Sequence, residues 1–380
     1  MTVQYKRKQF KSIINKFKFV DSWFWCKYSI NPYNGCEFAC TYCDSRSHKY
    51  HLQPEFDHVI YVKENVKELL DKRLTRARTL LPDVVSMSGT CDPYQPAEER
   101  YYNTKQCLEV LAKHMYPVGI CTKSTLVARD IDILQKIAEN NWCSVTLTLT
   151  TLDDNLAKFL EPGAPTPAQR LKTIKELKHA GLTQVGVNFM PIVPFLCDSE
   201  ENLEGVTKAV KAAGADYIIY AGMTLRDNQA KWLITRLKKE YPKAVEKLLN
   251  LYNGTYFDEL GYQGRYSPPN KYYKQLMKKT NKFSEQYGIS TRMKRFIPKD
   301  FRKYNYLLAE KLLNEAYNLQ ITGKPWTNLH WAGQNIQNLN ESIVDIAQRG
   351  ELQSIRNVDS QLEESILKFL GSNTKSYKFF

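Results

Sequence analysis

The feature that most limits how this chain can fold is a pattern repeated six times: a short apolar, β-branched run followed by a stretch with helical periodicity. The runs are "WCKYSI" at 25–30, "DVVSMSGT" at 83–90, "VGICTKS" at 118–124, "SVTLTLT" at 144–150, "QVGVNFMPIV" at 184–193 and "YIIYAG" at 217–222. Helices are expected near 64–78, 103–115, 130–140, 168–180, 200–213 and 228–250. Strands separated by helices pair in parallel, with the helices outside the sheet. In parallel barrels the chemistry gathers at the carboxyl ends of the strands. There this sequence places its unusual polar residues: a cysteine loop after the first run, then "SGTCD", "TKS", "TT" and "MP".

The loop reads "CEFACTYC" at 36–43 and holds three of the nine cysteines. A structural zinc takes four ligands and a disulfide two. A four-iron cluster held by three thiolates keeps one iron open to a small molecule. A zinc site completed by a distant His or Cys remains the alternative on spacing alone. The sequence has no run of eighteen apolar residues, and its basic start lacks the apolar stretch and cleavage site of a secretory signal. Reduced thiols and a cytoplasmic address are the expectation.

Net charge is +14, from 54 Lys and Arg against 40 Asp and Glu. Two segments concentrate it. Residues 1–30 hold seven bases and one acid, and residues 265–303 hold twelve bases and two acids. The second interleaves Tyr266, Tyr272, Tyr273, Phe283, Tyr287, Phe296 and Phe301 among its bases. Cations for phosphates and rings for stacked bases make a nucleic-acid footprint, against the plainer reading of a solvated basic surface with its rings turned inward. We divide the chain into a β/α domain at 1–253, a basic, aromatic-rich connection at 254–303 and an all-helical domain at 304–380.

The cysteine spacing, with Tyr42 directly before the third thiol, resembles the radical S-adenosylmethionine (radical SAM) superfamily. Further blocks, "NPYNGCEFACTYCDSRSH", "SGTCDPYQPAE", "TKSTLVARDID", "LEPGAPTPAQRL" and "PIVP", resemble its spore photoproduct lyase-like branch, often labelled DNA repair photolyases. The resemblance spans roughly residues 20–250. It implies an α/β fold, a partial (β/α)6 barrel, with a [4Fe–4S] cluster and S-adenosyl-L-methionine as cofactors. It also implies a reducing electron donor such as flavodoxin or ferredoxin, and no membrane. Cleavage of the cofactor yields a 5'-deoxyadenosyl radical that takes hydrogen from the substrate.

Carried over residue by residue, the resemblance makes Cys36, Cys40 and Cys43 the cluster ligands and gives the backbone of Tyr42 a contact with adenine. Ser88, Gly89 and Thr90 form the loop for the cofactor's amino group. Lys123 faces its carboxylate, or else a phosphate or solvent. Thr150 bonds the ribose, or else its own backbone. Asp92 starts a turn or makes a polar contact. Glu161 and Arg170 pair at the rim of the site, with a cofactor contact open to Arg170. Two positions depart from the branch. Asp44 stands where the lyases have a radical-relay tyrosine, and Gly89 where they have a hydrogen-donating cysteine. Cys91, two residues on, is the candidate catalytic donor; its alternative is a small packed thiol. Cys26, Cys107, Cys121, Cys143 and Cys197 read as small buried hydrophobes.

Residues 305–370 resemble the helix-hairpin-helix domain that opens family X DNA polymerases, though the turn at Asn357-Val358-Asp359 lacks both glycines; a plain helical cap is the alternative. The function expected is a lyase-like radical enzyme that repairs or modifies a nucleic acid, DNA before RNA. The alternatives are a radical enzyme for a peptide or small molecule and a non-catalytic iron–sulfur nucleic-acid-binding protein.

Overall fold

Residues 2–77, 79–87, 89–257 and 259–373 are described by the computed structural model. The chain forms two units: residues 1–16 with 28–293, and residues 17–27 with the chain from Lys294 onward.

In the first unit the six expected strands form and lie parallel. They are β2 (Tyr28–Ile30), β3 (Val85–Met87), β4 (Val118–Thr122), β5 (Cys143–Thr148), β6 (Gln184–Ile192) and β7 (Tyr217–Gly222). An added strand, β1 (Ile14–Lys16), pairs antiparallel with β2, so the order is β7-β6-β5-β4-β3-β2-β1. The sheet stays open, with β1 and β7 as its edges.

Helices α1 (Val66–Thr75), α2 (Asn103–Lys113), α3 (Ile131–Asn140), α4 (Pro167–His179) and α5 (Glu200–Ala212) separate the strands. The long helix expected at 228–250 is two: α6 (Asp227–Glu240) and α7 (Pro242–Leu251). Pro242 has no N–H for an interior turn, but it serves as the first residue of a new helix. A small sheet of Gln4–Lys8, Val59–Lys63 and Tyr33–Asn34 was not anticipated.

Strand register decides what each face of the large sheet presents, because side chains alternate. One face carries Val85, Met87, Val118, Ile120, Val145, Leu147, Val185, Val187 and Ile218, all fully buried in the core. Each such side chain contributes roughly 1.5–3 kcal/mol on burial. The opposite, inner face is polar. One row across it runs Ser29, Ser86, Gly119, Ser144 and Gln184. The next is Cys121, Thr146, Gly186 and Tyr217, and the next Thr148, Asn188 and Ile219. Parallel sheets are ordinarily apolar on both faces. A polar inner face therefore marks the side on which this sheet works.

The segment expected as a connection is mostly ordered structure within the first unit. Thr255–Phe257 and Gly261–Gln263 form a hairpin, and α8 (Asn270–Tyr287) packs on α5 and β7. Its buried residues Leu276, Met277, Thr280, Phe283 and Ser284 share one helical face. The lysines hide that pattern when the segment is read for charge.

The second unit contains α9 (Arg302–Thr322), α10 (Thr327–Gln337), α11 (Ile343–Gln348) and α12 (Ser360–Asn373) around Leu308, Leu312, Ile336, Ile343 and Ile366. Residues 17–27 belong here, although the sequence suggested the β/α domain. The Val20 carbonyl accepts from Gln334 Nε2 (2.9 Å). The Arg295 guanidinium lies 4.9 Å from the Trp25 ring and 3.9 Å from the Tyr306 ring. At the hairpin turn Asn357 has φ +70°. Its side chain bonds Asn328 and Asn335 of α10 (2.8 and 3.2 Å), so α10 occupies the turn that a helix-hairpin-helix would offer to phosphate.

Tyr217 lies flat across β6: a Cβ added at Gly186 would meet its Cζ at 2.2 Å. Gly186→Ala is expected to lower unfolding stability by about 2–3 kcal/mol or more through overpacking. Chemical denaturation checks this, and a midpoint equal to wild type would show that Tyr217 does not cross Gly186.

Candidate functional site

The cysteine loop leaves the carboxyl end of β2 and is shaped by its backbone. Gly35 sits at φ +104°, where a Cβ would come 2.7 Å from the Val59 carbonyl oxygen. The Cys36 N–H donates to Phe56 O (2.7 Å), while the Ala39 and Cys43 N–H groups donate to Cys36 O and Cys40 O (both 3.4 Å). Thr41 N–H donates to Leu160 O (2.8 Å) and Gly163 N–H to Phe38 O (3.1 Å), docking the loop on the 160–163 segment.

Cys40 is buried; Cys36 and Cys43 are half-buried. The Asp92 N–H points at Cys36 Sγ (3.5 Å). Burial pushes Cys40 up to about 12. Burial also raises Cys36 well above the ordinary thiol value, reinforced by Asp92 and the other two loop thiols.

Beside the loop lies a buried charge network. Glu161 accepts from the Tyr42 hydroxyl on one oxygen and from Arg170 Nη1 on the other, and both members of the ion pair are 1% exposed. Arg170 also donates to Thr148 O (2.9 Å) and Pro165 O (2.8 Å). Lys123 Nζ stands 5.7 Å from the Tyr42 ring and 3.4 Å from Thr148 Oγ1. Burial works to lower its pKa, but Cys40, Glu161 and Asp92 outweigh that and hold it above the ordinary lysine value.

Asp92 is structural glue. Its carboxylate accepts from Thr122 Oγ1 (2.6 Å) and from the Lys123 and Tyr94 N–H groups (2.8 and 2.9 Å), clamping the loop after β3 to the end of β4. Thr90 N–H donates to Asn31 Oδ1 (3.3 Å), and Asn31 lies where a side chain at Gly89 would reach, 3.1 Å from its Cβ position. Ser88 lies outside the described residues. The Tyr42 carbonyl accepts from Gln229 Nε2 (3.3 Å). Asp44 accepts from the Tyr50 hydroxyl (2.7 Å).

Cys91 is a buried thiol whose cluster also takes in Cys36. Its thiol donates to Tyr33 O (3.2 Å) inside a small apolar cluster with Ile60, Val62 and Ala97. Burial pushes its pKa up to about 12. Restoring the donor's side by a two-residue shift needs an extended loop, and residues 89–96 bend and turn instead. The aromatic platform also shrinks. Phe283 and Phe296 are buried, Tyr272 and Tyr287 donate to Asp198 and Glu204 (both 2.7 Å), and Tyr266 and Phe301 stay exposed. Sequence reading missed Asn31, Thr148 and Asn188; strand register through Lys123 and Thr150 would have singled out the last two.

The donor set suits an iron–sulfur cluster. Three thiols share one shielded loop. A cluster spreads its thiolates over separate irons, and three of them leave the fourth iron open. Thr150 Oγ1 and Arg170 Nη2, both buried near the strand ends, make no hydrogen bond in the structure and suit a polar ligand above the loop.

Removing one member of a buried ion pair leaves the other charge uncompensated. Arg170→Met is therefore expected to cost about 3–5 kcal/mol of stability, and the double change Arg170→Met with Glu161→Gln substantially less. Denaturant titration of both variants checks this; equal losses would show that the pair is not coupled.

The radical SAM superfamily model matches residues 30–204. An uncharacterized protein of Mycobacterium tuberculosis H37Rv is 33% identical over 256 residues, 66% of this chain and 72% of that one. Another, of Methanocaldococcus jannaschii, is 32% identical over 175 residues, 46% and 63%. Among solved structures, a spore photoproduct lyase complexed with dinucleoside spore photoproduct is similar with a TM-score of 0.55 at 15% identity, covering 74% of this chain and 79% of that one. That likeness speaks for the fold, and nothing in these comparisons supports a helix-hairpin-helix tail. With the thiol loop at the end of the first parallel strand and the family model spanning it, this chain belongs to the radical SAM superfamily.

Proposed function

We propose that this chain is a lyase-like radical SAM enzyme that repairs or modifies a nucleic acid, DNA before RNA, on a partial (β/α)6 barrel. The family's cofactors are a [4Fe–4S] cluster and S-adenosylmethionine, which together supply a carbon-centred radical able to take hydrogen from an unactivated position. Cys36, Cys40 and Cys43 would hold the cluster, with the Asp92 N–H tempering the charge on Cys36 sulfur. Lys123 brings a half-buried cation for a carboxylate. The loop of Ser88, Gly89 and Thr90, the backbone of Tyr42, Thr150 Oγ1 and Arg170 Nη2 are the remaining groups for the nucleoside and amino-acid ends of that ligand. A reducing protein such as flavodoxin or ferredoxin completes the system.

The observation that carries the substrate class is a lysine ladder. Lys271, Lys274, Lys278 and Lys282 are all exposed and recur every three or four residues on one face of α8. They run along about 16 Å of helix. Few acids oppose them, and a spaced row of ammonium groups fits a polyanion.

Replacing these four lysines by Gln is expected to weaken DNA binding and to reduce the slope of log K against log salt by about 3. An unchanged slope would remove the ladder from the interface. Tighter binding of RNA than DNA by the wild type would transfer the proposal to RNA.

A further inference from the structure

The second unit carries a row of aromatic rings on its surface. Phe19 packs edge-to-face on Trp331 (centroids 5.2 Å apart), Trp331 on His330 (5.3 Å) and His330 on Trp326 (5.6 Å). The last three stand at the start and middle of α10, and Phe19 comes from the 17–27 piece. Phe19 is 45% exposed, Trp331 38%, and Phe17, two residues before Phe19, 42%. Exposed rings grouped in this way mark a contact surface.

The row has two unlike ends and a neutral middle. At one end Lys18 holds its Nζ 5.2 Å from the Phe19 ring, and both residues are exposed. At the other, Trp326 lines a cavity of about 560 Å³ between α9, α10 and α12, with the buried Leu308, Leu312 and Ile366 as its floor. Two exposed acids stand on its rim, Glu315 on α9 and Asp359 before α12. Asp359 accepts from the Leu362 N–H (2.9 Å). Glu315 has no ion pair among the described residues, and Lys311, one turn before it, lies 5.5 Å from the Phe369 ring instead. Between the two ends, α10 holds no Lys, Arg, Asp or Glu, although a quarter of the chain is charged.

We infer that this face is where two copies of the chain pair about a two-fold axis. A row with complementary ends is complementary to itself when reversed. Two rows laid antiparallel put Phe19 of each copy at the other's cavity and Lys18 beside the other's Glu315, while the two uncharged α10 helices cross at the axis. The neutral centre matters for chains of net charge +14, which repel one another wherever bases meet. An aromatic anchor seated in an apolar pocket supplies the affinity, and the Lys–Glu contacts at both ends fix the register. The acids also decide against a polyanion, because a strand of phosphates following the row from Lys18 runs onto Glu315 and Asp359.

The test measures the mass of the full chain by sedimentation equilibrium from about 1 to 100 µM, the range of a modest interface. Wild type is expected to rise from one chain mass to two. Lys18→Glu and Glu315→Lys each set like charges together at both contacts, and each is expected to weaken the dimer about tenfold or more. The double change Lys18→Glu with Glu315→Lys is expected to restore it. An equal mixture of the two single variants should pair as well, since both contacts are then again opposite in sign. Circular dichroism checks that these variants, changed only at exposed residues, stay folded. A wild type that remains monomeric throughout overturns the inference, and that arm needs no variant to fold. If such a monomer binds oligo-dT and loses that binding in Phe19→Ser, the row belongs to a nucleic acid instead. A dimer that tolerates both single reversals, or that neither the double variant nor the mixture restores, overturns the inference too.

Discussion

One carboxylate, that of Glu161, stands between the thiol loop and the strands. It is fully withdrawn from water and takes a proton donor on each oxygen: the Tyr42 hydroxyl from the loop and the Arg170 guanidinium from α4. Arg170 passes the link on to the carbonyl at the end of β5. A buried ion is tolerable only when its remaining lone pairs are satisfied. The loop, the helix and the strand end must therefore adopt one mutual arrangement. That arrangement keeps Cys40, Tyr42 and Lys123 side by side, and much of the site's geometry follows from it.

The sheet supports this by dividing its labour between faces. The outer face is continuous aliphatic surface under helices, and it supplies the burial on which the first unit depends. The inner face gives up that source of stability, holding serines, threonines, glycines, a thiol and two amides instead. Tyr217 shows how the exchange is managed. Its ring fills the space left by Gly186, and its hydroxyl satisfies two neighbours that would otherwise be buried without partners.

Much of this was legible in the sequence. The six strands announced themselves because β-branched runs of five or so residues, each trailed by a helical period, admit few other folds. The thiol loop was legible because three cysteines so close together are rarely structural filler. What stayed hidden depended on contacts between distant positions. Cys91 looked available because alternation along a strand is a one-dimensional rule, and the loop that carries it turns toward Tyr33. The rings of 265–303 looked like a stacking surface because composition does not reveal which side of a helix they occupy. Cys121 read as buried because its half-exposure depends on the strands beside it and the face on which they leave room.

The second unit has a consequence for how the protein comes into being. Its eleven-residue piece 17–27 is made well before the helices it joins, which begin only at residue 302. Translation at about 5–20 residues per second separates the two by roughly 15–50 s. Throughout that interval Val20 and Trp25, which end almost wholly buried, lack their final neighbours, although the strands before and after them are already being made. A nascent chain with such a delayed closure presents an apolar stretch while the whole first unit is being made, and that stretch is where a cotranslational chaperone would find its hold.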